Sequence, residues 1–199
     1  MKKIILASNS PRRKELLSSI GLKFDILPDN TPEEVDEGLT PEETVEHLAK
    51  FKGDNVCKKL DDSENFIVIS ADTVVAVDNK ILGKPKTKNE ALEMLKLLSG
   101  RCHFVYTGVY IRENNSKKSV IFYEKTKVHF KNLDIKEIYD YINTGEPMDK
   151  AGAYGIQSLG ALFVEKIDGD YFNVVGLPIC ALAKSLKEGF GIEFFNEDN

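Results

Sequence analysis

Apolar runs and helical stripes alternate along this chain, separated by turn-forming residues. Ile4-Ile5-Leu6-Ala7 reads as a short strand that breaks at Ser8-Asn9-Ser10 into a helix. Ser10 suits the N-cap, Pro11 the first helical position, and Gly21 the stop after Leu16, Leu17 and Ile20. Lys23 to Leu27 alternates as a second strand, and an acidic segment from Pro28 to Leu39 follows. Thr40-Pro41-Glu42-Glu43 is a capping box that opens a helix to about Leu60. Phe66-Ile67-Val68-Ile69 begins a buried strand that continues through Ala71 to Val77, and a turn at Asp78-Asn79-Lys80 returns the chain through Ile81 and Leu82.

Thr87-Lys88-Asn89-Glu90 reads as a second capping box, opening a helix whose Ala91, Leu92, Leu95 and Leu98 face a core until Gly100. His103 to Arg112 and Ser119 to Phe130 pattern as a long hairpin with a polar turn at Asn114 and Asn115. A helix from Asp134 to Thr144 is closed by Gly145, and Glu146 to Gly160 reads as a loop whose glycines at 152, 155 and 160 imply close passage past a neighbour. Ala161 to Ile167 and Tyr171 to Val175 read as a hairpin turned by Asp168-Gly169-Asp170, and a last helix opens near Leu177-Pro178. Strands and helices alternate, yet hairpins recur, so the expected fold is α/β with a mixed sheet, in one domain over residues 1–199.

Composition narrows the function. Hydrophobic residues make up 42% and charged residues 30% of 199, the profile of a soluble globular protein, and no apolar run reaches membrane-spanning length. Met1 to Ala7 superficially resembles a signal peptide, but its apolar stretch is too short and reads as a strand. Cys57, Cys102 and Cys180 are odd in number and widely spaced, which offers neither a disulfide framework nor a CxxC site and suits a reducing cytoplasm. His47, His103 and His129 have no zinc-site spacing. A net charge of -5 argues against broad nucleic-acid binding, so local basic clusters are expected to serve something small.

Several charged residues sit where packing does not explain them. Arg12 and Arg13 fall in a first helical turn, where positive side chains oppose the macrodipole and free N–H groups want a negative partner; a bound phosphate answers both, and solvation or pairing with carboxylates elsewhere is the alternative. Lys52 interrupts the apolar stripe Val45, Leu48, Ala49, Val56 and Leu60, either snorkelling to water or pointing at an anion. Asp72 interrupts a strand between Ile69 and Val74, either as a turn residue at a strand end or as a carboxylate held for acid–base chemistry. Gly83-Lys84-Pro85 returns a lysine toward the same end of the sheet without forming a P-loop, and Gly152, Gly155 and Gly160 do not make a dinucleotide fingerprint.

Taken together, Ser8-Asn9-Ser10-Pro11-Arg12-Arg13, Ser70-Ala71-Asp72-Thr73, Gly83-Lys84-Pro85 and Asp149-Lys150-Ala151-Gly152-Ala153-Tyr154-Gly155-Ile156-Gln157 resemble the Maf family of nucleoside triphosphate pyrophosphatases. Leu98-Ser99-Gly100 and the stretches Lys166 to Tyr171 and Gly176-Leu177-Pro178 extend that resemblance over essentially the whole chain. It implies a Maf/ITPase-like fold, a twisted mixed sheet flanked by helices with two lobes around a cleft. It implies hydrolysis between the α and β phosphates, giving a nucleoside monophosphate and pyrophosphate, with magnesium or manganese as divalent cation. On the matched positions Asp72 is the expected general base and a metal ligand, Glu33 the second metal carboxylate, and Ser8, Arg12, Arg13, Lys52 and Lys84 the triphosphate contacts. Glu34, Asp36 and Glu37 lie close enough to compete with Glu33.

The Gly-Ala-Tyr-Gly-Ile-Gln pattern is similar to the branch acting on dTTP and UTP, with Arg12, Thr73 and Gln157 at its selectivity positions; Ser158 departs from the glycine expected after the glutamine. A glutamine amide offers a donor and an acceptor to a pyrimidine edge. The competing expectations are a 7-methyl-GTP or modified-nucleotide pyrophosphatase and a nucleotide-binding regulator of septum formation. A homodimer is what the resemblance implies for assembly.

Overall fold

The computed structural model describes residues 2–32, 38–61 and 64–195. In chain order the elements are β1 (Lys3–Leu6), α1 (Pro11–Ser19), β2 (Asp25–Ile26), α2 (Pro41–Cys57), β3 (Phe66–Val77) and β4 (Lys80–Leu82). There follow α3 (Lys88–Leu98), β5 (Cys102–Glu113), β6 (Ser119–Phe130), α4 (Ile135–Asn143), β7 (Val164–Asp168), α5 (Tyr171–Val175) and α6 (Ile179–Phe190). The strands pair in the order β2-β1-β3-β5-β6-β7, with β4 on β3. β1 runs parallel to β2 and β3, whereas β3–β4 and β6–β7 are antiparallel, so the sheet is mixed as the recurrent hairpins require. The fold class is therefore α/β.

Two compact units divide the chain: residues 1–72, 107–123 and 176–199 form one, and residues 73–106 and 124–175 the other. In the first, Ile5, Ala7, Val56, Cys57, Phe66 and Val68 make a buried cluster where β1 and β3 meet α2. α1 carries the expected caps: Ser10 accepts from the Arg13 backbone N–H, and Leu22 N–H returns to Leu17 O beyond Gly21 at φ +74°. α2 carries the full capping box of Thr40 and Glu43 but ends at Cys57, short of Leu60. The polar turn after β5 is not merely solvated. Asn114 is buried, accepting from Phe66 N–H at 2.7 Å and donating to Glu64 O at 2.8 Å, which ties that turn to the start of β3.

In the second unit, Leu92, Leu95 and Leu98 of α3 and Ile138, Tyr141 and Ile142 of α4 pack with Val75, Val105, Val128, Phe130, Tyr154 and Phe163. Thr87 accepts from Glu90 N–H, but the Glu90 carboxylate accepts from Lys86 N–H, one residue earlier than a capping box requires. The strand expected at Tyr171 to Val175 is instead the short helix α5. Asp170 opens it by accepting from Phe172 N–H, and the buried Asn173 amide donates to Val105 O and Thr126 Oγ1, contacts that outweigh the β-favouring Tyr-Phe-Val-Val composition. The loop expected from Glu146 to Gly160 contains short 3₁₀ turns at Glu146–Asp149 and Ala151–Ala153 and the start of a third, Ser158–Phe163, so the strand expected from Ala161 begins only at Val164. The second strand is also shorter than expected, Asp25–Ile26 alone.

His103 is fully buried in this second core, edge-on to Phe130 and Tyr154, with Nε2 2.7 Å from the Tyr154 hydroxyl. Burial, with a smaller contribution from His129, pulls its pKa down to about 3. The unfolded chain titrates this imidazole near ~6.5 and so binds more protons than the folded one at any pH between the two values. Stability supplied by the neutral ring is thus complete above that unfolded value and lost on acidification. Between pH 7 and 5.5 urea unfolding is expected to lose about 1 kcal/mol from this group, a loss that His103→Gln should largely remove.

Candidate active site

In the first unit the chain leaves β1 at Ala7, whose N–H donates to Ile69 O at 2.8 Å, and enters the turn that caps α1. Ser8 Oγ accepts from Ser10 N–H at 3.1 Å and from Arg13 Nη1 at 3.4 Å. The Arg13 guanidinium also donates through Nη1 to Ala71 O and through Nε to Gly176 O, both at 2.8 Å. One planar cation therefore braces the β1–α1 turn, the middle of β3 and the segment before α6. Arg12 is half-buried in the same turn.

Asp72 follows directly on the braced Ala71. Lys52 Nζ donates to Asp72 Oδ1 at 2.5 Å, with the two side chains 16% and 14% exposed. The lysine on the apolar stripe of α2 thus meets an anion, and the aspartate lies within a strand, not at its end. What brings α2 near enough is absent bulk. Ser70 Oγ donates to Ala49 O at 2.6 Å, and a Cβ on Gly53 would stand 2.6 Å from both Ser70 Oγ and Tyr110 Cδ1. A Cβ on Gly108 would overlap the Val45 backbone of the same helix.

Glu33, with the competing Glu34, Asp36 and Glu37, lies outside the described residues. The segment leading to it is anchored by Asp29, which accepts from Asn55 Nδ2 at 3.0 Å, Thr31 Oγ1 at 2.7 Å and Lys59 Nζ at 2.9 Å. Burial pushes the Asp29 carboxyl up, and these donors overcome it and hold its pKa at about 2. Nothing in the local sequence pattern singled out Asp29 among the acidic residues of that stretch.

Thr73, Lys84 and Gln157 belong to the second unit. Gly152 N–H donates to Gly83 O at 3.0 Å, which joins the turn bearing Lys84 to the glycine-rich segment bearing Gln157. Gly152, at φ +67°, presses against Val75, and a Cβ there would sit 3.0 Å from three Val75 atoms. Tyr154 is anchored on His103, and the Glu146 carboxylate accepts from the Tyr141 hydroxyl and from Leu159 and Gly160 N–H groups. Glu146 is the clamp that sequence reasoning missed, since its partners lie on both sides of the loop. Lys84 is exposed and, like the half-buried Gln157 amide, has no hydrogen-bond or ion-pair partner among the described residues. Ser158 adopts φ +57°, the left-handed backbone that a glycine accepts without strain.

Residues 3–189 match the family described as Maf-like protein. A dTTP/UTP pyrophosphatase of Bacillus pumilus is 53% identical over 98% of this chain and 100% of its own length. Proteins of the same name from Thermoanaerobacter sp. and Caldicellulosiruptor bescii are 53% and 50% identical over 96% and 94% of this chain. They are covered over 98% and 95% of their lengths. Among solved structures, a HAM1 protein from Coxiella burnetii aligns with a TM-score of 0.43 and 18% identity over 65% of this chain and 73% of that one, a likeness too loose to bear on the fold. The chain belongs to the Maf family.

The tight contact at Gly53 gives a direct check on how the Lys52–Asp72 pair is held. Gly53→Ala is expected to lower unfolding free energy by about 1–3 kcal/mol in urea titrations, as overpacked interiors do.

Proposed function

We propose that this protein hydrolyses nucleoside triphosphates, dTTP and UTP foremost, between the α and β phosphates, releasing a nucleoside monophosphate and pyrophosphate. The observation that carries this reading is the half-buried Lys52–Asp72 pair beside the strand braced by Arg13, in a member of a family whose near relatives bear that activity in their names. A carboxylate and a cation at that spacing, both largely withdrawn from solvent, supply a proton acceptor and a phosphate partner together.

In this reading Asp72 accepts the proton of the attacking water at a carboxylate oxygen, and Lys52 orients that carboxylate. Arg12, Lys52 and Lys84 bind the phosphate chain, with Ser8 adding a hydroxyl and Arg13 both contacting phosphate and keeping the β1–α1 turn in place. Thr73 and Gln157 select the base, the glutamine pairing with a pyrimidine edge through an amide that has no partner among the described residues. The donor set suits a hard divalent cation: Asp72 offers carboxylate oxygen, and magnesium or manganese needs only one or two protein carboxylates beside substrate phosphates and water. Asp72 and Glu33 would hold that ion, which when bound neutralises phosphate charge and polarises the bond to be cut. No helix of the described residues is long and apolar enough to cross a membrane. On the family resemblance, a cytoplasmic homodimer is the assembly proposed.

Asp72→Asn is expected to lower kcat by at least about a thousandfold in a variant that still folds, with a lowered thermal midpoint because Lys52 loses its counter-charge, and near-normal turnover would remove Asp72 from the base role. Product identification across a nucleotide panel with magnesium or manganese checks the reaction: monophosphate plus pyrophosphate from dTTP and UTP is expected. Preference for 7-methyl-GTP would reassign the substrate, and absence of any hydrolysis would favour a binding role.

A further inference from the structure

A second line of polar contacts, made by residues with no role assigned above, runs across the unit formed by residues 73–106 and 124–175. β5 begins at Cys102, an exposed thiol. Its Sγ lies 3.1 Å from His129 Nδ1 on β6, and His129 Nε2 lies 2.8 Å from Asp168 Oδ2 at the end of β7. Thiol, imidazole and carboxylate are thus in series on three neighbouring strands, the relation that lets a base assist a nucleophile while a third group orients the base.

The series has a direction. Lys166 pairs with the other oxygen, Asp168 Oδ1, at 2.6 Å. Lys166 foremost, and His129 after it, hold the Asp168 carboxyl below its ordinary value. An ionised Asp168 accepts from Nε2–H, which leaves the Nδ1 lone pair facing the thiol. The groups lie in a row and do not surround a point, and no cluster of three such side chains suited to a metal ion is present among the described residues. The remaining cysteines belong to the first unit: Cys57 is buried, and Cys180 is exposed with no hydrogen-bond partner among the described residues.

We propose that Cys102 is a base-assisted thiol that exchanges with low-molecular-weight disulfides, making position 102 a site of reversible S-thiolation. The Cys102 sulfur forms a bond to one sulfur of the small disulfide as its proton passes to His129 Nδ1. The disulfide's own S–S bond breaks, its electron pair leaves on the departing sulfur, and that thiolate takes the proton from His129. The sum is one protein thiol and one disulfide converted to one mixed disulfide and one free thiol, with no other oxidant. Asp168 balances the imidazolium between the two proton movements. With no second cysteine in its unit, the product there is a mixed disulfide, undone by excess small thiol.

The test uses the intact protein and oxidised glutathione at about pH 7, with the rate of mixed-disulfide formation at each cysteine followed by peptide mass spectrometry. Cys102 is expected to react about threefold or more faster in the native protein than in the same protein unfolded in urea; a smaller ratio overturns the proposal. His129→Gln and Asp168→Asn are each expected to slow Cys102 by about threefold to tenfold while leaving Cys180 unchanged. Unaltered Cys102 rates in folded variants would show the contacts to be a structural ladder on an exposed sheet face and would equally overturn it. Circular dichroism reports whether each variant folds, and if neither does the native-to-unfolded ratio decides alone.

Discussion

A carboxylate in the interior of a strand is costly unless a cation comes to it, and in this protein Lys52 does so from a neighbouring helix. That demand fixes much of the first unit. The helix has to lie close to β3, so the contacts at Gly53 and Gly108 leave no room for a side chain. The strand has to stay in register, so Ser70 ties it to Ala49 and Arg13 ties it to the turn before α1. Either half of the pair alone would be an uncompensated charge in a poorly hydrated place.

The second unit is organised by a neutral polar core. His103 sits among aromatic rings and spends its Nε2 on Tyr154, which places the glycine-rich segment against β3 and the turn bearing Lys84. Glu146 closes the same segment from its other end. Lys84 and the Gln157 amide, which have no hydrogen-bond or ion-pair partner among the described residues, are thus presented by a backbone that is itself heavily constrained.

Much of this was legible in the sequence because it depends on local signals. Ser10-Pro11 and Thr40 with Glu43 gave their helices correctly, and the two long runs either side of the polar turn at Asn114 and Asn115 marked the strands β5 and β6. Lys52 and Asp72 stood out because each breaks an apolar pattern, and they do meet. What escaped depends on which of several available partners each polar group takes. Tyr171 to Val175 has strand composition but takes its geometry from Asp170 and from the buried contacts of Asn173. Glu90 reaches Lys86 rather than Thr87, and Glu146 gathers donors from residues 141, 159 and 160. No spacing rule encodes such choices, because they follow from how finished elements pack.

Arg13 shows how shape and charge part company at one position. Its fork reaches two backbone carbonyls at once, a geometry that a lysine ammonium on a single flexible stem cannot reproduce. Swapping one for the other would keep the formal charge and still leave a main-chain acceptor to find water. Comparisons between cations at residue 13 therefore report mainly on scaffolding, whereas a substitution at Lys84, whose ammonium has no partner among the described residues, disturbs no contact of that kind.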